Sequence, residues 1–204
     1  MPFCRKTRLV LAIGILFLLV SCVLFAQSRL LNYTVIHNGN PSGWVKLNKN
    51  VNGTTSVISM ASQVKWRILI GITVVSNEYS ESKDARLVHS WVFRKVNGSI
   101  KADAHTRFTG HTYVKETAAG KETLNFQPAG ITVLDLYFQE PAGVEQVYSA
   151  SHQQNLRIEK KQAGVYKLFL PGGDFNEYYY KEGLCVKVKI DHSLYAAEIV
   201  LTQP

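Results

Sequence analysis

Asp103 and His105 stand two residues apart, so an extended backbone sets a carboxylate and an imidazole on one face together with Lys101 and Arg107. That spacing suits an acid–base pair or the beginning of a metal site. A solvated charged face has the same spacing, so Asp103 and His105 are held as weak metal candidates and no residue is assigned as catalytic. Asp191 and His192 are adjacent, point to opposite sides of a strand, and are expected to begin the last hairpin turn. His89 shares parity with Leu87, Trp91 and Phe93 and reads as a hydrogen-bonded core histidine. His111 and His152 have no companions at ligand spacing. Glu140-Pro141 is expected to punctuate an element boundary, with the carboxylate taking a backbone N–H or a cation. The chain contains no G-x-S-x-G, H-E-x-x-H, G-x-G-x-x-G or phosphate-loop motif.

The cysteines offer little more. Cys4 and Cys22 fall in the first 28 residues, which leaves Cys185 alone in the rest of the chain, without an internal disulfide partner. Alternation along residues 184–190 places Cys185 on the same face as Lys187 and Lys189. A different chemistry is suggested by the aromatics Trp66, Trp91, Phe93, Tyr137 and Phe138. On a curved sheet they are candidates to line a concave apolar surface for a greasy ligand, and a filled core is the competing expectation.

What must position these residues is a set of strands. Ile58, Met60, Val64, Trp66 and Ile68 fall on one parity, and Ser59, Gln63, Lys65 and Arg67 on the other, the period of a strand with one buried face. Residues 69–75 are apolar on both parities, which fits either burial on both faces or a break in phase at Gly71. Asn97-Gly98 between residues 87–96 and 100–108 is a strong hairpin signal. Further strands are expected at 33–36, around Tyr113-Val114, at Leu124 with Phe126, at 156–158, and from 165 to 201. The spacing predicts about a dozen short strands: an all-β antiparallel meander curled into a sheet or partial barrel, one domain over residues 29–204. One stretch breaks the pattern. Val133, Leu134, Tyr137 and Phe138 suit one side of a short helix ended by Pro141, lying across the concave side or plugging an end.

Residues 1–28 have the parts of an export signal: Arg5, Lys6 and Arg8, an apolar run over 9–20, and the small-residue exit Ala26-Gln27-Ser28. Two other readings stay open. Cys22 resembles the lipidated residue of a lipoprotein signal, and residues 9–26 are nearly long enough to stay as a membrane-spanning anchor and make membrane contact. Each reading puts the remainder outside the cytoplasm, in the periplasm or cell envelope. Net charge is +8, of which three positive charges belong to this leader. No basic cluster with interleaved aromatics is present, so nucleic acid is not an expected partner, and no cofactor is expected.

Tyr33-x-Val35, Leu136-Tyr137-Phe138-Gln139-Glu140-Pro141, Tyr166-x-Leu168-x-Leu170-Pro171-x-Gly173, Tyr178-x-Tyr180 and Gly183-x-Cys185-x-Lys187-Val188 resemble a bacterial exported family known as domain of unknown function 6134. The likeness spans nearly all of residues 32–201. It is similar, more distantly, to domain of unknown function 3108 and to Lol-type envelope carriers. What the resemblance implies is a barrel-like exported product without assigned catalytic residues. The expected function is therefore non-enzymatic: binding of a lipid-like or hydrophobic small molecule, or of an envelope protein. The alternatives are an assembly factor with a filled core, or an enzyme of unrecognised type using Asp103 and His105.

Overall fold

A computed structural model of the chain describes residues 27–67, 71–193 and 195–203. Residues 1–26, which hold most of the expected leader with Arg5, Lys6, Arg8, Cys4 and Cys22, lie outside the described residues, as do residues 68–70. No helix among the described residues is long and apolar enough to cross a membrane.

Fourteen antiparallel strands form one sheet. The first eight are β1 (Gln27–His37), β2 (Asn40–Asn52), β3 (Thr55–Arg67), β4 (Gly71–Lys83), β5 (Arg86–Val96), β6 (Ser99–Phe108), β7 (Tyr113–Thr117) and β8 (Gly120–Thr123). The other six are β9 (Gln146–Ser149), β10 (Gln154–Gln162), β11 (Val165–Phe169), β12 (Phe175–Lys181), β13 (Leu184–His192) and β14 (Tyr195–Gln203). Each strand pairs with the next along the chain except β8 with β9, and β14 returns to pair with β1. The two free edges are thus β8 and β9, neighbours in sequence joined by residues 124–145. Asn97 and Gly98 both take positive φ, 49° and 81°, the backbone that a two-residue hairpin matched to strand twist requires.

The first strand is longer than the expected 33–36 and starts inside the expected leader. Leu124 and Phe126 do not form a strand. They belong to the connecting segment and pack into an apolar cluster with Leu87, Val92 and Tyr113. The expected helix is a single 3₁₀ turn, Asp135–Tyr137. Its apolar residues do not share one side: Leu134, Leu136, Tyr137 and Phe138 are all buried, because the turn sits inside the curled sheet and is surrounded.

The segment enters and leaves at one end of the barrel. Gly130 passes so close to the β4–β5 turn that a Cβ would stand 2.2 Å from the Ala85 carbonyl oxygen, so only glycine fits there. Further on, the Glu140 N–H donates to the Gly183 carbonyl in the β12–β13 turn at 3.0 Å. Between these points the strands hold the segment by side chains. Tyr180 Oη donates to the Leu136 carbonyl at 2.7 Å, and Tyr166 Oη to Glu140 Oε1 at 2.9 Å. Asp135 Oδ2 accepts from the Thr132 N–H and hydroxyl at 3.0 and 2.8 Å, while Oδ1 accepts from Lys49 Nζ on β2 at 3.2 Å.

Where the β6 and β9 sides of the sheet approach without a backbone ladder, side chains close the seam. The Thr106 hydroxyl lies 2.8 Å from Tyr148 Oη and donates to Gln153 Oε1 at 2.9 Å. Arg94 Nη2 donates to Ser151 Oγ at 2.9 Å.

Candidate functional site

The residues singled out for chemistry or ligand binding fall in three separate places. Register puts Tyr79, Trp91 and His105 in one row across β4, β5 and β6, with Glu81, His89 and Arg107 on one side and Asn77, Phe93 and Asp103 on the other. This is the outer face of the sheet. The expected companionship of His89 with Leu87 fails because Val88 is an extra residue: Glu81 faces His89 and Ser82 faces Leu87, so the bulge turns Leu87 inward and His89 outward. Trp91 and Phe93 consequently line no interior cavity.

On the outer face these rings stand side by side. Trp91 lies 6.1 Å from Phe93 and 5.9 Å from His105, and His89 lies 5.6 Å from His105 with planes only 6° apart. Their polar atoms are matched among themselves: Trp91 Nε1 donates to Asp103 Oδ1 at 3.2 Å, and His89 Nε2 lies 3.3 Å from His105 Nδ1. Asp103 and His105 are therefore brought together with Trp91, but in a cross-strand ladder whose hydrogen bonds are already made. Among the described residues, no three histidine, cysteine or acidic side chains converge as a metal set.

Tyr137 and Phe138 lie in the core. Tyr137 meets Tyr33 and Tyr178 edge-on, at 5.3 and 6.0 Å, and Lys49 Nζ lies 5.6 Å from the Phe138 ring. Cys185 is here too, fully buried and not on the lysine face. The cause is a second bulge: Tyr179 faces Lys187 and Tyr180 faces Cys185, leaving Val186 as the extra residue. Burial pushes the Cys185 thiol up to about 12. A thiol reagent at neutral pH should leave Cys185 unmodified in the folded protein and label it fully in denaturant. Rapid labelling of Cys185 itself in the native chain, located by peptide mapping, would contradict this placement.

The sequence reading missed a polar band inside the barrel. On β4 the inward positions are Ser76, Glu78 and Ser80, all buried. Their cross-strand partners on β5 are Arg94, Val92 and Ser90. Ser151 Oγ donates to Glu78 Oε1 at 2.5 Å and accepts from Arg94, whose guanidinium also reaches Glu78 at 3.5 Å. Burial raises the Glu78 carboxyl above its ordinary value, against the opposing pull of Arg94 and Ser151. Beside it is a cavity of about 10 Å³, lined among others by Glu78, Ser80, Ser90 and Thr132. That is room for one water and no substrate. Ser149 Oγ and His152 Nδ1 are 3.0 Å apart nearby, but the His152 N–H also donates to Ser149 Oγ and the serine is 3% exposed, so the pair is a turn contact.

The band opens toward the end of the barrel opposite the inserted segment. Arg94 is 37% exposed there. Trp66, the remaining sequence candidate, lies at this end on β3. Its ring is 4.4 Å from Tyr195, which in turn is 4.8 Å from His192, and His37 lies 6.0 Å from Trp66. Three buried polar atoms at this end have no partner: Trp66 Nε1, His192 Nε2 and Asn176 Oδ1. No sequence pattern marks the cluster, since its members come from five strands, β1, β3, β12, β13 and β14.

Histidine titration follows from this burial. His89, His152 and His192 are each lowered below 6.5, in every case chiefly by desolvation. Each folded histidine therefore resists a proton that the unfolded chain accepts, so stability should fall as pH drops below about 6.5. Glu78 acts oppositely, because its raised folded value makes protonation favour the folded state as pH falls toward 4.5. Melting temperatures across this range should fall more steeply with acid in Glu78→Gln than in the unsubstituted protein. Parallel curves would show that Glu78 is not buried as a carboxyl.

A protein-family model, Domain of unknown function (DUF6134), matches residues 33–202. A similar solved structure is a beta-barrel-like protein of domain of unknown function DUF1849 from Brucella abortus, with TM-score 0.55 and 10% identity, over 89% of this chain and 98% of that one. At that identity the likeness shows a shared fold. No curated protein matches the chain.

Proposed function

We propose that this chain, which belongs to the DUF6134 family of domains of unknown function, is an exported, non-enzymatic cell-envelope protein that binds an envelope molecule or partner at the Arg94 end of its barrel. The observation that carries the reading is the filled interior. Leu134, Leu136, Tyr137 and Phe138 occupy the space that a carried hydrophobic molecule would need. The export part of the reading is supported by the basic, apolar and small-residue pattern of residues 1–28. Non-enzymatic action is supported by the positions of the titratable groups. Asp103 and His105 are engaged in an outer ladder, and Glu78 faces a cavity of one-water size.

A lipid-like ligand is the second reading. Trp66 and Tyr195 at the Arg94 end favour it, as aromatic rings that accept an apolar body beside a polar group. The two are separated by native mass spectrometry of the protein purified from its own envelope. The first reading expects a polar molecule or a protein partner to be retained, and the bare chain would count against it. A lipid bound in stoichiometric amount would replace it with the second.

A further inference from the structure

We infer that the outer face of β2–β6, beside the Arg94 end, docks the protein on an anionic lipid surface, with Trp44 and Ile100 entering the headgroup region and Lys46, Lys65, Lys95 and Lys101 meeting the lipid phosphates. This face lies outside the barrel, and its role is independent of whatever the Arg94 end holds. Register sets Trp44, Gln63, Val75, Lys95 and Ile100 in one row across five adjacent strands. Trp44 is 39% exposed and Ile100 59%, and among the described residues the only other large apolar side chain so exposed is Leu30. The two stand roughly 19 Å apart at ordinary strand spacing, a span that suits an extended surface better than a small molecule. β2 to β5 are each paired on both sides, so the row offers a peptide no strand edge there.

Charge sets this face apart from the other half of the sheet. There Glu159 faces Lys167, Lys167 faces Glu177, Glu177 faces Lys189 and Lys189 faces Glu198, so each charge is answered by a cross-strand neighbour. On β2–β6 the lysines go unanswered. Lys46 stands between Asn32 and Ala61, Lys95 between Val75 and Ile100, and Lys65 faces Thr73. Lys101 is the extra residue of a bulge opposite Lys95, and Asp103, two residues on, is engaged by Trp91 Nε1. Among the described residues none of the four lysines forms an ion pair. Such a face attracts an anionic surface. The apolar groups select which one. Lys46 Nζ lies 5.4 Å from the Trp44 ring and Lys95 Nζ 5.2 Å from the Phe93 ring, so charge and apolar surface are presented together. A lipid interface takes both at once, the ammonium at the phosphates and the indole and Ile100 among the first methylenes. A nucleic acid or an acidic polypeptide answers the lysines but makes no use of Ile100.

The test is cosedimentation of the protein purified from its own envelope with vesicles of phosphatidylglycerol and phosphatidylcholine, and with vesicles of phosphatidylcholine alone. Salt is held at about 0.1 M, where charges more than about 10 Å from the lipid are screened. A retained leader contributes alike to every variant, so the readout is the change in the ratio of anionic to neutral affinity. Each lysine at an anionic surface contributes about fivefold, so Lys46→Gln combined with Lys95→Gln should lower that ratio about 25-fold. Lys167→Gln combined with Lys189→Gln removes the same charge from the balanced half and should leave the ratio nearly unchanged. Ile100→Ser should weaken binding to the anionic vesicles, which a contact made by charge alone would not show. An equal fall from both lysine pairs, or no fall from either, overturns the assignment. Tighter binding to polyglutamate or to an oligonucleotide than to the anionic vesicles overturns it as well, and gives the face to a polyanion.

Discussion

Replacing Asp135 with alanine will destabilise the protein by about 3–5 kcal/mol, the cost of breaking a buried ion pair from one side. Asp135 is the anchor of the inserted segment. Its carboxylate takes two hydrogen bonds from Thr132, which shape the 3₁₀ turn, and one from Lys49, which ties that turn to β2. The pair is largely shielded, with side-chain exposures of 17% and 13%. Alanine leaves the Lys49 ammonium in the barrel without a counter-charge and frees the Thr132 donors. Asp135→Asn keeps an acceptor for Thr132 and should lose clearly less. Urea denaturation of the two variants measures both, and equal small losses would mean that the segment is not anchored here.

Tyr137→Ala should cost a similar amount, about 3–5 kcal/mol, by removing a large buried aromatic whose neighbours are fixed in the sheet. Tyr33 and Tyr178 are 1% exposed, and each contacts Tyr137 edge-on. Tyr33 is also tied by its hydroxyl to the Cys185 carbonyl at 2.8 Å, so it cannot collapse inward to fill the hole. The variant should bind an apolar dye that the unsubstituted protein ignores. Tyr137→Phe retains the ring and should lose about 1.5 kcal/mol or less. A Tyr137→Ala protein as stable as its parent, with no affinity for dye, would show that this ring is not packed inside the barrel.

Much of the architecture is legible from alternation and turn residues. The parity of Ile58 through Trp66 and the Asn97-Gly98 turn translate directly into β3 and the β5–β6 hairpin. The break at residues 133–138 is only partly visible, because the spacing of Val133, Leu134, Tyr137 and Phe138 before Pro141 suits a short helix but also fits one more buried strand. What defeats the reading is phase. Single extra residues at Val88 and Val186 reverse the faces of His89 and Cys185, and nothing in an apolar valine announces a bulge. Ser76, Glu78 and Ser80 fail differently: alternating polar residues read as a wet face, yet here they face inward and separate two apolar clusters. The candidate aromatics divide for the same reason. Tyr137 and Phe138 are inside, Trp91 and Phe93 outside, and Trp66 is at the open end, where its partners Tyr195 and His192 come from more than 100 residues away. Tyr33, Tyr166, Tyr178 and Tyr180, which belong to the motifs of the family resemblance, all contact the inserted segment.

Hydrogen exchange at the amides of Val133, Asp135, Phe138 and Gln139 tests the filled barrel most directly. Their N–H groups donate to Tyr148, Thr132 and Asp135 carbonyls at 2.9–3.1 Å within the enclosed segment. If the segment is part of the core, these amides open only with global unfolding and exchange as slowly as the central residues of β1 and β13. Exchange at the rate of the surface hairpins would mean that residues 124–145 leave the barrel readily, and the filled interior would have to be abandoned in favour of a cavity open to ligand.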